Sequence, residues 1–196
     1  MKIHKFKDYF TVNESISEKL YHGNRKGDFP PEKRRFHDCI FLTSNINFAK
    51  DFAGFDDRDE FPNGSVWEVK LKNGLNLCNL MDNKYLIKLD IKDVLQKMID
   101  NNYIDKENGT KFFKVSSGLM GYDIDTDKEF KLSSPEESVY HYIWRIKNGA
   151  WRVIETDPII EKIKLNGYDG FLITERGSKN VAIFNEDSIE FFKKVI

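Results

Sequence analysis

Residues 20–27 read "LYHGNRKG", and the fold turns on what the histidine in this stretch is for. The apolar pair Leu20 and Tyr21 leads directly into His22 and Gly23, and a basic run punctuated by glycine follows. A histidine so placed is either a core residue at a strand end or a donor facing a ligand, with the neighbouring glycine leaving the backbone bare. Four residues are too few to choose between these, so the choice falls to the rest of the chain.

A chain of 196 residues is long enough to bury a substantial core and fits one domain, here set at 1–196 with an elaborated helical insertion at about 80–150. Lys and Arg total 31 against 32 Asp and Glu, a formal charge of −1, so no global field recruits nucleic acid or an anionic membrane. A local basic loop remains at 24–35, "NRKGDFPPEKRR", whose paired prolines exclude a helix. Cys39 and Cys78 share no metal-ligand spacing and sit among apolar neighbours, which fits buried thiols in a reducing compartment. The N-terminal residues carry no apolar signal run, and nowhere do 18 apolar residues follow one another. A cytosolic protein without a membrane segment is expected.

Periodicity gives the elements. Segments 17–22, 38–43 and 65–72 read as strands; in the third, Trp67, Val69 and Leu71 alternate with Glu68 and Lys70. Between the last two, "NINFAKDFAG" repeats apolar residues at helical spacing up to Gly54. Ile91, Val94, Leu95 and Met98 mark a second helix. Ser134, Pro135 and Glu137 open a third with the pattern of a capping box. Asp157 and Pro158 open a fourth, closed by Gly167. "YDGFLIT" and "NVAIF" then read as adjacent buried strands joined by the turn "ERGSK". Asp123, Asp125 and Asp127 alternate as calcium ligands do, but the glycine and distal glutamate of an EF-hand loop are misplaced, so no metal is expected. The fold class is α+β, strand-rich at both ends around a helical middle.

Taken in order, "LYHG", "CIFLTSNINFAKDFA", "GYDGFLI" and "NVAIFNEDSI" resemble the ADP-ribosyltransferase superfamily, in its histidine-type branch of diphtheria-toxin-like and poly(ADP-ribose)-polymerase-like enzymes with small phage and bacterial relatives. The resemblance covers roughly residues 18–72 and 150–191; 80–150 matches nothing in it. It implies split antiparallel sheets gripping NAD in a cleft. It implies that His22 bonds a ribose hydroxyl, that the bare backbone of Gly23 meets the nicotinamide amide, and that Phe41 and Phe52 stand where the family stacks tyrosines on the ring. Thr43 and Ser44 fall where it places hydroxyls. NAD is then the substrate, with no metal.

One position departs from the family. Four residues before the phenylalanine of "VAIF", where the pattern has a glutamate, stands Asn180. Breaking the nicotinamide–ribose bond develops positive charge on the sugar; a carboxylate neutralises it, whereas an amide only orients. Glu175, at the preceding strand end, is the nearest substitute acid. If Asn180 merely stands in for the lost acid, Asn180→Glu raises cleavage. The expected activity is mono-ADP-ribosylation of a macromolecular acceptor, protein before nucleic acid, as suits a bacterial or phage toxin or effector. The alternatives are a catalytically weakened module that binds NAD or a partner, which Asn180 favours, and an NAD glycohydrolase.

Overall fold

The computed structural model describes residues 19–25, 39–55, 63–107, 109–112, 120–123, 128–131, 135–175 and 177–196. The expected strands near the N-terminus form as β1 (Leu20–Asn24), β2 (Ile40–Thr43) and β3 (Ser65–Leu71), so His22 lies inside a strand and not at its end. Helix α1 (Ile46–Phe52) starts where the side chain of Asn45 accepts hydrogen bonds from the backbone N–H groups of Asn47 and Phe48. A three-residue strand β4 (Leu77–Asn79) and helices α2 (Asn83–Lys88) and α3 (Ile91–Asp100) follow. Strands β5 (Met120–Asp123) and β6 (Lys128–Lys131) pair as a separate hairpin. Helices α4 (Pro135–Lys147), α5 (Trp151–Ile154) and α6 (Asp157–Leu165) lead into β7 (Gly170–Glu175), β8 (Ser178–Ile183) and β9 (Ile189–Lys194). The proposed capping residue Ser134, the loop at 26–35, and Asp125 and Asp127 lie outside the described residues.

The architecture is α+β, with one seven-stranded sheet in the order β4-β7-β8-β2-β1-β3-β9. The expectation of split, purely antiparallel sheets is corrected twice: these seven strands form one continuous sheet, and at one edge β4 runs parallel to β7, reached through the crossover that the helices make. Elsewhere neighbours are antiparallel. The sheet is narrowest in its middle, where β1 and β2 share the single registered pair Tyr21↔Thr43. On either side the ladders are long: β1 pairs with β3 from Leu20↔Val69 to Asn24↔Ser65, and β2 pairs with β8 from Ile40↔Ile183 to Thr43↔Asn180.

Side-chain alternation sorts the residues onto two faces. Helices α2 to α6 cover one face of the β4-β7-β8-β2 half, burying Phe171, Ile173 and Ala182 with Leu86, Leu95, Ile99, Ile146 and Ile163 in one cluster. The stretch at 80–150, expected as an elaboration, therefore shares its apolar core with the sheet. On the β1-β3 half, α1 covers the same face through Ala49 and Ala53, which pack with Val66 and Tyr21. The opposite face carries a second apolar layer, Leu20, Leu42, Val69, Val181 and Ile183, that runs across the junction.

Gly23 takes its meaning from α1. A Cβ there would sit 2.0 Å from the carbonyl oxygen of Ala49, so only glycine lets the helix backbone lie directly on the strand. Its side-chain position is filled by the helix, so close packing of α1 by itself requires glycine here. Gly23→Ala is expected to push α1 off the strand and cost about 1–3 kcal/mol, read as a lowered urea midpoint with an unchanged slope.

Two phenols, Tyr142 buried and Tyr103 half-buried, give a pH prediction. Burial pushes Tyr142 up to about 12; burial and the nearby carboxylates of Asp105 and Asp157 do the same for Tyr103. Both folded values lie above the ordinary tyrosine value of 10.0, so the unfolded chain loses these protons first. Stability is then intact below about pH 10 and declines from there toward pH 12. Melting temperatures across that window, with Tyr142→Phe and Tyr103→Phe as controls, check it: the variants should flatten the decline.

Candidate functional site

The register lines up one row across the sheet: Tyr21 opposite Thr43, Thr43 opposite Asn180, and Asn180 opposite Ile173. Side chains in such a row share a face. Asn180 thus belongs to the face covered by helices, together with Phe41, Phe171 and, two residues beyond Ile173 on β7, Glu175. His22 is one step past Tyr21 on β1, so its Cβ leaves the opposite side, with Leu20 and with Trp67, its partner on β3. Two strand spacings, about 10 Å, separate its backbone from that of Asn180.

His22 marks the place where the halves part. Beyond Tyr21↔Thr43 the ladder between β1 and β2 stops, and the imidazole Nδ1 of His22 lies 2.8 Å from the carbonyl oxygen of Phe41. A carbonyl only accepts, so Nδ1 carries the proton and Nε2 is the basic nitrogen of the neutral ring. The histidine bridges the two strands where backbone pairing has ended.

The second cluster is built around Glu175. Its Oε2 accepts a hydrogen bond from the side-chain amide of Asn180 at 3.3 Å and another, short one from the indole Nε1–H of Trp151. Three elements supply these groups: β7 the acid, β8 the amide and α5 the indole. Trp151 is fixed in turn by its rings' neighbours, edge-on to Phe41 at 4.7 Å and tilted against Phe171 at 5.9 Å. The turn before α5 sits on the end of β7: Gly149 has φ 77°, and a Cβ there would lie 2.6 Å from the carbonyl oxygen of Thr174.

Asn180 is 2 % exposed, and its Oδ1 is buried with no hydrogen-bond partner among the described residues. Its amide is directed at Glu175, so the expectation that it orients a ribose itself gives way to a role one step removed. The half-buried ring of Phe41 packs against Trp151 at the helix-side cluster. Phe52 is 48 % exposed and pairs with Phe48 along α1 at 5.1 Å, apart from Phe41.

The two hydroxyls hold local structure. Thr43 Oγ1 accepts from the backbone N–H of Asn45 at 3.2 Å, and Ser44 Oγ accepts from that of Lys179 at 3.2 Å. Asn45 adds a bond from its Nδ2 to Ser178 Oγ at 3.2 Å while its Oδ1 caps α1. This polar seam closes the end of β2 against the β7–β8 turn. The structure therefore joins Asn180, Glu175 and Phe41 through Trp151, keeps Thr43 and Ser44 at the rim of that group, and leaves His22 and Gly23 on the other side of the junction.

Sequence reasoning missed Trp151. Nothing local announces it, because its partner Glu175 lies 24 residues away and the contact exists only once α5 is seated on β7. Among the described residues no group of three His, Cys, Asp or Glu side chains is arranged to hold a metal ion, and no helix is long and apolar enough to cross a membrane. No protein-family model, curated protein or solved structure matches the chain.

The geometry gives Asn180→Glu a consequence for stability. Asn180→Glu would exchange a donor for a second carboxylate within hydrogen-bonding reach of Glu175, and two such carboxylates cannot both ionise cheaply. The variant should lose about 1–3 kcal/mol at neutral pH and recover part of it near pH 4, where the pair holds a proton. Thermal melts at both pH values test this; an equal loss at both would refute the coupling.

Proposed function

We propose that the chain is an NAD-consuming mono-ADP-ribosyltransferase in which Glu175 supplies the carboxylate that the family pattern places at the position of Asn180. The observation that carries this reading is the hydrogen bond from the Asn180 amide to Glu175 Oε2. It puts a negative charge about one strand spacing, roughly 5 Å, from where the resemblance calls for one.

In the proposed reaction the bond between the ribose C1′ and the nicotinamide nitrogen breaks, and its electron pair leaves on nicotinamide, which departs neutral. Positive charge spreads over C1′ and the ring oxygen. The Glu175 carboxylate stabilises it through space, a type of contribution worth about 3–4 kcal/mol where single preorganised groups have been removed from enzymes. An acceptor nucleophile then bonds to C1′ and gives up its proton. With a formal charge of −1 the chain has no bulk affinity for polyanions, so a protein acceptor is preferred over a nucleic acid. Modification of a host protein by a bacterial or phage effector would fit such an activity.

The second reading, a module that binds NAD or a partner without turning NAD over, is favoured by the burial of Asn180 to 2 % exposure, which makes that residue part of the framework. Incubation with NAD labelled in the adenylate half, with and without cell lysate, separates the readings. Label retained on protein supports the transferase. Free ADP-ribose with or without lysate means that water is the acceptor, and intact NAD under both conditions refutes catalysis.

A further inference from the structure

We infer that Trp151 is a positioning residue for Glu175, and that the otherwise unmatched helical stretch ahead of it serves to deliver this indole to the acid. The inference rests on the transferase reading above. A glutamate at a strand end has three side-chain torsions to fix before its carboxylate points anywhere in particular. Here two donors converge on the same oxygen: the indole N–H from α5 and the amide of Asn180 from β8. Hydrogen bonds to an ionised group are about twice as strong as neutral ones, and two of them on one oxygen fix the direction of the other.

The indole can do this because it is itself immobilised. Phe41 meets it edge-on at 4.7 Å and Phe171 at 5.9 Å, so β2 and β7 both hold the ring. Its helix is anchored behind it: Val153 and Ile154 are fully buried, and the Gly149 turn lies against the carbonyl of Thr174, one residue before the acid. Helix α4, whose Tyr142 and Ile146 are buried in the main cluster, ends at that turn. The packing of the insertion thus ends on the acid and sets how precisely it is held, as a group aimed at developing charge must be.

Trp151→Phe keeps a flat ring against Phe41 and Phe171 and removes only the N–H. The expected result is a fall in kcat for nicotinamide release of about 10- to 100-fold, with KM within about twofold and a melting temperature within a few degrees of wild type. An independent readout needs no NAD. The indole N–H resonance of Trp151, identified by its loss in Trp151→Phe, should be protected from solvent exchange and should move in Glu175→Gln, while those of Trp67 and Trp144 stay in place. If the wild type cleaves NAD and Trp151→Phe retains its kcat, the positioning role is overturned and the transferase reading stands. If the wild type does not cleave NAD, both fall. Should Trp151→Phe fail to fold, the wild-type resonances are assigned from Trp67→Phe and Trp144→Phe by elimination, and a Trp151 signal unmoved by Glu175→Gln overturns the proposal.

Discussion

The single pair Tyr21↔Thr43 is the narrowest point in the sheet, and the arrangement on either side of it follows from that constraint. Ladders on both flanks are continuous, so the two halves are each self-supporting where they adjoin β1 and β2. Backbone groups left without a ladder must find other partners. His22 meets this need for Phe41, whose carbonyl it bonds at 2.8 Å. A histidine in this position has a structural task whatever else it does. The ring ties two strands together at the place where their backbone pairing ends.

The functional consequence lies one strand pair away. Where the resemblance calls for a carboxylate, the chain has an amide, and that amide donates to an acid on the neighbouring strand. Moving an acid from β8 to β7 displaces it by about one strand spacing, a distance that a glutamate side chain spans in part. The exchange is not free: Asn180 keeps a buried oxygen with no partner among the described residues, an arrangement that costs stability and that is retained in native structures for a reason. Support of the acid from two sides supplies such a reason.

The regular elements were legible in the sequence because their signals are local. The apolar repeat of α1, the Ile91–Leu95–Met98 stripe of α3 and the alternation in β3 are set by residues within a turn or two of each other, and the structure places them accordingly. Strand β4 escaped, as did α2, α5 and the β5–β6 hairpin, because segments this short carry little period, and the pairing of β4 with β7 is parallel and distant in sequence. The packing demand on Gly23 was hidden for a related reason: the atom that requires glycine there belongs to Ala49, on a helix that packs back onto the strand. Trp151 was invisible on the same grounds. The edge-on contact of Phe41 with Trp151 is equally hidden, since it joins residues 110 positions apart.

The central claim is that Glu175 is the acid of an NAD-cleaving site. The most direct test is the rate of nicotinamide release from NAD by the wild-type chain and by Glu175→Gln, which keeps the size of the side chain and its ability to accept from Trp151 while removing the charge. Measurable release by the wild type and a fall of about 100-fold or more in kcat for the variant are expected, without a matching loss of folded protein. Release at the wild-type rate from Glu175→Gln would contradict that claim.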